Sequence, residues 1–196
     1  MRASFLHVSL RRMFMAILTI IAGMSVLPAS PAFATLPTPT FNGVPIDAYA
    51  AYQGQTTCDL TPKPGVVAFR DILLSEYAGR SAEISRACDV GGRSEHKEGR
   101  ALDFAFDAND SSQAAQASTV LNWLLATDAA GNRHAFLRRL GIMYVIWNRQ
   151  IFRAYNPDAG WQRYTGANPH TDHIHFSFAW NGARQQTSWW TAPHVV

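Results

Sequence analysis

The chain has little charge, few cysteines and neither of two common catalytic motifs. Charged residues make up 16% of its 196 residues, two cysteines occur, and no block of like charge or internal repeat is visible. It has no Gly-x-Ser-x-Gly sequence, the motif that presents a nucleophilic serine, and no glycine-rich phosphate loop. These absences argue against a serine hydrolase of that type and against a nucleotide-binding protein.

The first 34 residues have the pattern of a secretory signal peptide. Arg2, Arg11 and Arg12 precede an apolar run over 13–27, and Ala32-Phe33-Ala34 supplies small residues for cleavage. The run is shorter than the roughly 20 residues that span a bilayer, so no stable membrane anchor is expected after cleavage. The sequence therefore predicts a secreted protein, extracellular or associated with the cell wall, and leaves the export route open.

Removing this segment also removes the excess positive charge. The whole chain has 17 Lys+Arg against 14 Asp+Glu, and residues 1–34 contain three arginines and no acid. The remaining chain is balanced, so its basicity is no evidence for a nucleic-acid partner and none is expected. Its length is sufficient for one domain with a hydrophobic core.

Both cysteines lie in the exported part of the chain. Cys58 and Cys88 favour a single disulfide, because an exported protein folds in an oxidising compartment. The alternative, in which one of them is a metal ligand or a nucleophile, requires reducing conditions.

The remaining sequence predicts an α+β fold in a single domain, a small antiparallel sheet with helices packed on one side. Residues 35–60 are rich in Pro, Thr and Gly and predict an irregular N-terminal arm, and 61–196 form the domain. Periodicity and turn residues predict helices over 65–77, 112–126 and 134–140, and strands over 83–88, 101–106, 142–147, 151–155 and 173–180.

Two separate segments concentrate the residues that could do chemistry. The first contains His96 and Asp103, and the second contains Asp172, His173 and His175. On a strand, His173 and His175 face one way while Ile174 and Phe176 face the core. Imidazole and carboxylate are ligands for Zn²⁺, so three of these residues could hold the metal while others transfer protons. The alternative is a pair of surface histidines on an edge strand.

These segments contain two motifs, Ser94-x-His96-x-x-Gly99-x-Ala101-x-Asp103 and Asp172-His173-x-His175. Together the motifs resemble those of the VanY-like zinc D-Ala-D-Ala peptidases, a group of carboxypeptidases, dipeptidases and peptidoglycan endopeptidases with a small α+β fold. The resemblance implies that His96, Asp103 and His175 bind Zn²⁺.

The resemblance also implies roles for further residues. Asp172 stands where many members have a glutamate as general base, and His173 stands where other members have an assisting histidine. Arg86 resembles an arginine that steadies the substrate carboxylate or the transition state, although a structural ion pair is the alternative. Ser94 is a candidate for substrate binding or for capping its loop.

A few neighbouring residues have predicted environments. Trp147 is a candidate wall of the substrate groove, with a place in the hydrophobic core as the alternative, since aromatic residues in strands commonly pack there. Glu95 and Glu98 are expected to face solvent. The same is expected of His170, with a position at the mouth of the cleft as the alternative.

Together these features predict a secreted zinc metallopeptidase that hydrolyses peptide bonds in peptidoglycan stem peptides. Two alternatives remain: a cell-wall-binding module that keeps the pocket without turnover, and a zinc hydrolase of the same fold with another amide substrate. The sequence sets neither the bond that is cut nor the oligomeric state.

Overall fold

The computed structural model describes residues 35–193. The predicted signal peptide, residues 1–34, lies outside this range. Within 35–193, none of the helices combines the length and the apolar character that a membrane crossing requires.

A six-stranded antiparallel sheet forms the centre of the fold and, together with the helices, confirms the predicted α+β class. The strands are β1 (Ala82–Glu83), β2 (Ala101–Ala105), β3 (Ile142–Trp147), β4 (Gln150–Arg153), β5 (Trp161–Arg163) and β6 (His173–Phe178). Their order across the sheet is β1-β2-β6-β3-β4-β5.

The three predicted helices form within one or two residues of their expected bounds. Asp110 caps the second of them, because its carboxylate accepts hydrogen bonds from the backbone N–H groups of Ser112 and Gln113. Two one-turn helices near the C-terminal end of the described chain were not predicted, since four residues show no periodicity. The helices are α1 (Pro64–Glu76), α2 (Ser111–Leu125), α3 (Ala135–Leu140), α4 (Trp180–Ala183) and α5 (Ser188–Thr191).

The hydrophobic core lies between one face of the sheet and the helices. Strand alternation sends the large apolar side chains of β2 and β6 to this face, where they meet α1, α2 and α3. The opposite face of the same strands is therefore free to carry polar side chains. The fully buried sheet residues of the core include Leu102, Phe104, Ile174, Phe176 and Phe178.

The strand predicted over 83–88 is wrong beyond its first residue. Only Ala82–Glu83 pairs with β2. The chain then leaves the sheet, because its backbone groups bond to the turn around His96 instead. The carbonyl oxygen of Ile84 contacts His96 Nδ1 at 2.7 Å, and the backbone N–H of Arg86 donates to the His96 carbonyl at 3.3 Å.

Residues 35–60 contain no helix and no strand beyond an isolated bridge at Thr40. This arm is held against the domain at both ends: the indole N–H of Trp123 donates to the Pro37 carbonyl, and the backbone N–H of Asp59 donates to the Lys97 carbonyl. The predicted disulfide between Cys58 and Cys88 is confirmed, with Cα atoms 6.0 Å apart. Such a bond fits an oxidising compartment.

Gly99 is the residue that allows the first motif to fold. It has φ of +61°, and a Cβ added to it would overlap the Thr61 carbonyl oxygen. We expect Gly99→Ala to lower the free energy of unfolding by roughly 1–2 kcal/mol for the left-handed backbone and about 1–3 kcal/mol more for the overlap. Urea denaturation measures this loss.

Gly91 provides the matched control for this substitution. It has φ of +64°, but a Cβ there would meet no atom within 4 Å. Gly91→Ala should therefore show only the loss of roughly 1–2 kcal/mol that the backbone conformation causes. Equal losses at the two positions would contradict the close packing inferred around Gly99.

Candidate metal centre

Sheet register brings two of the predicted ligands together. Asp103 of β2 lies directly opposite His175 of β6. Residues opposite each other in an antiparallel pair have Cβ atoms about 4.5–5.5 Å apart on the same face. The third residue, His96, comes from the one-turn 3-10 helix Glu95–Glu98 that immediately precedes β2. All three lie on the face of the sheet that points away from the helices.

The potential ligand atoms form a compact cluster. Asp103 Oδ1 lies 3.0 Å from His96 Nε2 and 2.7 Å from His175 Nδ1, and these two nitrogens are 3.2 Å apart. Both histidines are buried, and Asp103 is half-buried. The three residues thus form a group that could hold a metal ion.

Hydrogen bonds on the far side of each ring favour one tautomer. Nδ1 of His96 is placed to donate to the Ile84 carbonyl at 2.7 Å, which leaves a lone pair on Nε2. Nε2 of His175 is placed to donate to Ser177 Oγ at 3.0 Å, which leaves a lone pair on Nδ1. Two ring lone pairs and a carboxylate oxygen then face one another at close range. Such a set of acceptors fits a bound cation.

The electrostatics favour the charged form of Asp103 and the neutral form of His175. Burial alone would raise the pKa of Asp103, but close polar contacts with His175 and His96 outweigh it and hold the pKa well below its ordinary value. Burial lowers the pKa of His175, although Asp103 opposes this shift. Carboxylate and neutral imidazole are the forms that bind metals at neutral pH.

A buried chain of hydrogen bonds supports His175 from behind. Ser177 Oγ, which accepts from His175, donates to Glu95 Oε2 at 3.2 Å, and the hydroxyl of Tyr144 donates to the same oxygen at 2.6 Å. The ring of Tyr144 also stacks on that of His175. Burial first, and then the charge of Glu95, raise the pKa of Tyr144, so its hydroxyl remains a donor.

The expectation that Glu95 and Glu98 face solvent is wrong. Glu95 is 4% exposed and belongs to the chain behind His175. Glu98 is fully buried, where it pairs with Arg100 at 2.7 Å and accepts a hydrogen bond from the backbone N–H of Thr56. Buried carboxylates require such partners, and these partners come from distant parts of the sequence.

Removing the hydroxyl of Ser177 should weaken metal binding without removing a ligand. In Ser177→Ala the Nε2–H of His175 loses its acceptor, and loss of such an outer hydrogen bond typically costs about 10–100-fold in metal affinity. Competition with a zinc-sensitive chelator measures the dissociation constant. Ser118→Ala, on the exposed side of α2, should leave that constant unchanged. An unchanged dissociation constant in Ser177→Ala would contradict the inference that the hydrogen bond from His175 to Ser177 strengthens metal binding.

His173 and Asp172 lie at the edge of the cluster. His173 Nδ1 contacts Asp172 Oδ1 at 2.7 Å, and His173 Nε2 lies 3.4 Å from Asp103 Oδ1. The side chain of Asp172 is 80% exposed, whereas that of His173 is 14% exposed. Of the two candidates for proton transfer, His173 is therefore the one beside the cluster, and Asp172 contacts its outer nitrogen.

Arg86 and Ser94 both reach the surroundings of the cluster. The Arg86 guanidinium lies 3.2 Å from Asp103 Oδ2, and its side chain is 40% exposed. Ser94 precedes the turn that carries His96, where its side chain makes no capping hydrogen bond and its backbone N–H donates to Gln55 Oε1. It lines a cavity together with His175.

The side chain of Trp147 packs against the hydrophobic core on the face of β3 opposite the cluster, which corrects its assignment to the substrate groove. On β3, Tyr144 and Ile146 face the cluster side. Trp147 points to the opposite side, where its ring contacts Phe106 and it lines a separate cavity beside α2. Strand alternation is the physical reason.

His170 is buried, so the expectation that it faces solvent is wrong. Its ring centroid lies 4.8 Å from that of His173 and 5.5 Å from that of His175. Nδ1 contacts the Asn168 carbonyl at 2.8 Å. Burial, followed by the charges of His175 and His173, lowers the pKa of His170 to about 4. Its place just before the second motif indicates the alternative position at the mouth of the cleft, and His170 lines the cavity that includes His175.

Two cavities adjoin the cluster, and both are lined by Arg86 and Asn168. The larger, about 370 Å³, includes Asp103 and His173. The smaller, about 170 Å³, includes His175. A further cavity of about 340 Å³ lies between the N-terminal arm and the α2–α3 connection and includes none of the predicted site residues.

Comparison with protein families gives a match to the family described as VldE, C-terminal domain, over residues 58–175. Comparison with curated proteins and with solved structures gave no match. The matched range contains more than half of the chain, both cysteines and all three residues of the cluster. The chain therefore belongs to the VldE C-terminal domain family.

Proposed function

We propose that this protein is a secreted zinc-dependent peptidase that hydrolyses peptide bonds of peptidoglycan stem peptides. The resemblance of its two motifs to the VanY-like zinc peptidases supports the reaction and the substrate. The observation that carries the proposal is the convergence of His96, Asp103 and His175 on one small volume with His173 beside it. The disulfide and the signal-like N-terminal segment support export.

His96, Asp103 and His175 would hold the zinc ion. Nitrogen and oxygen donors from three side chains are the usual set of a catalytic zinc site that keeps a position open. When bound, Zn²⁺ lowers the pKa of a coordinated water to about 7 and polarises the scissile carbonyl. The chain of Ser177 and Glu95 behind His175 would keep that ring in its binding orientation.

His173 is proposed as the general base, with Asp172 orienting it. The contact of Asp172 with Nδ1 leaves Nε2 of His173 directed toward the cluster, 3.4 Å from Asp103. An imidazole in this position takes a proton from the attacking water and returns it to the leaving amine. Asp172 is the poorer candidate, because its side chain is 80% exposed and its carboxylate contacts the outer nitrogen of His173 rather than the cluster.

Arg86 is proposed to stabilise negative charge on the reacting carbonyl oxygen. One of its N–H groups is used by Asp103, while the side chain stays 40% exposed and lines both cavities. The planar guanidinium has five donors, so others remain for substrate.

Digestion of purified peptidoglycan, with and without a chelator and followed by mass spectrometry, tests the proposal. We expect cleaved stem peptides with the zinc-loaded protein, loss of cleavage with chelator and recovery on adding Zn²⁺. Absence of product in every condition, together with retention on peptidoglycan, would instead favour a binding module. Cleavage of some other amide, with the stem peptides intact, would favour a hydrolase with another substrate.

A further inference from the structure

The smaller cavity beside the metal centre differs in charge from the larger one. Its lining includes two guanidinium groups, from Arg86 and Arg93, and one carboxylate, from Glu95. The larger cavity has Arg86 as its only cation, against the carboxylates of Glu83, Asp103 and Asp172. The two sides of the metal centre therefore present opposite charge to a bound molecule.

The carboxylate of the smaller cavity is already engaged inside the protein. Glu95 is 4% exposed and accepts hydrogen bonds from Tyr144 and Ser177. It also lies 4.0 Å from the guanidinium of Arg100, which is fully buried. Its charge is thus largely compensated from behind, and it offers little attraction for a cation in the cavity.

Arg93, in contrast, has donors to spare. Its side chain is exposed, and no hydrogen bond or ion pair of that side chain is found within residues 35–193. It follows two glycines and directly precedes Ser94, the first residue of the motif that contains His96. A free guanidinium beside a concave site is suited to bidentate binding of a carboxylate.

We propose that this cavity is a subsite for a carboxylate group of the substrate, and that Arg93 is the residue that selects for it. The inference rests on the proposed peptidase function and deepens it by naming the chemistry recognised beside the scissile bond. The carboxylate has two possible sources in a peptide, the free C-terminus or an acidic side chain close to the cleaved bond. Both present the same planar anion to Arg93.

Kinetics on matched peptides test the subsite. The set contains a parent stem peptide, its C-terminal amide, and forms in which each side-chain carboxylate is converted to an amide. With the unaltered enzyme, one of these amides should lower kcat/KM by roughly 10–100-fold, the range of one charge-assisted hydrogen-bonded pair. The amide that does so identifies the source of the carboxylate.

On the parent peptide, Arg93→Gln should lower kcat/KM by the same factor as the amide that affects the unaltered enzyme. On that amide the variant should lower kcat/KM little further, because the carboxylate that Arg93 binds is already absent. Arg163→Gln removes an exposed arginine from β5 and should leave all values unchanged. If Arg93→Gln lowers kcat/KM equally for every peptide, or for none, the subsite assignment is wrong.

Binding to the metal-free protein separates this inference from the proposed function. Calorimetry with the same peptides requires no turnover, so it applies even if none of them is cleaved. Tighter binding of the parent than of one amide, abolished in Arg93→Gln but kept in Arg163→Gln, would support the subsite in a protein without peptidase activity. Equal binding of acid and amides would overturn it even in an active enzyme.

Discussion

Replacing His175 with alanine is expected to remove the bound metal and, with it, all hydrolysis. His175 is buried at the centre of the cluster, where its Nδ1 lies 2.7 Å from Asp103 and 3.2 Å from His96. The metal affinity should fall by more than the roughly 10–100-fold expected when a ligand only loses the hydrogen bond on its far side, as in Ser177→Ala. Metal content after dialysis and cleavage of stem peptides measure the two effects.

His134→Ala is the matched control for this change. His134 is also partly buried in the domain, where it contacts the hydroxyl of Tyr49 and the ring of Phe152. It lies outside the cluster, so this variant should keep its metal and its activity. Full metal occupancy in His175→Ala would contradict the assignment of His175 as a ligand.

Replacing His173 with alanine is expected to leave the metal bound and to lower turnover by roughly 10²–10⁴-fold, the usual contribution of a general base. The metal should stay bound because His173 lies beside the cluster rather than within it. Its Nδ1 contacts Asp172 at 2.7 Å, whereas its Nε2 lies 3.4 Å from Asp103. Metal analysis and kcat are measured on the same sample. This combination separates a base from a ligand.

Asp172→Asn completes the comparison. An amide keeps the size of the side chain but weakens its hold on His173, so kcat should fall by less than in His173→Ala, with the metal retained. Full activity in His173→Ala would show that His173 is not the base. Loss of metal in His173→Ala would show that His173 is a ligand.

The local parts of the site could be predicted from sequence. Alternation along β6 places His173 and His175 on one face and sends Ile174 and Phe176 into the core, because strand geometry repeats every two residues. The pairing of Asp103 with His175 depends on sheet register between segments about seventy residues apart. Local pattern does not specify such register, and only the family resemblance suggested it.

The buried polar surroundings could not be predicted. Glu95 is stabilised by Tyr144 and Ser177, which are 49 and 82 residues away along the chain. A charged residue in a loop is ordinarily exposed, so nothing local indicated its burial. Trp147 shows a related limit, since β3 is apolar on both faces and its sequence cannot tell which face meets the cluster.

Metal analysis of the purified mature protein tests the metal centre most directly. About one zinc ion per chain is expected, or stoichiometric uptake when zinc is supplied, because the donor atoms of His96, Asp103 and His175 already converge. The same measurement on His175→Ala should give none. A folded protein that contains no metal and takes up no zinc would contradict both the metal centre and the hydrolase proposed from it.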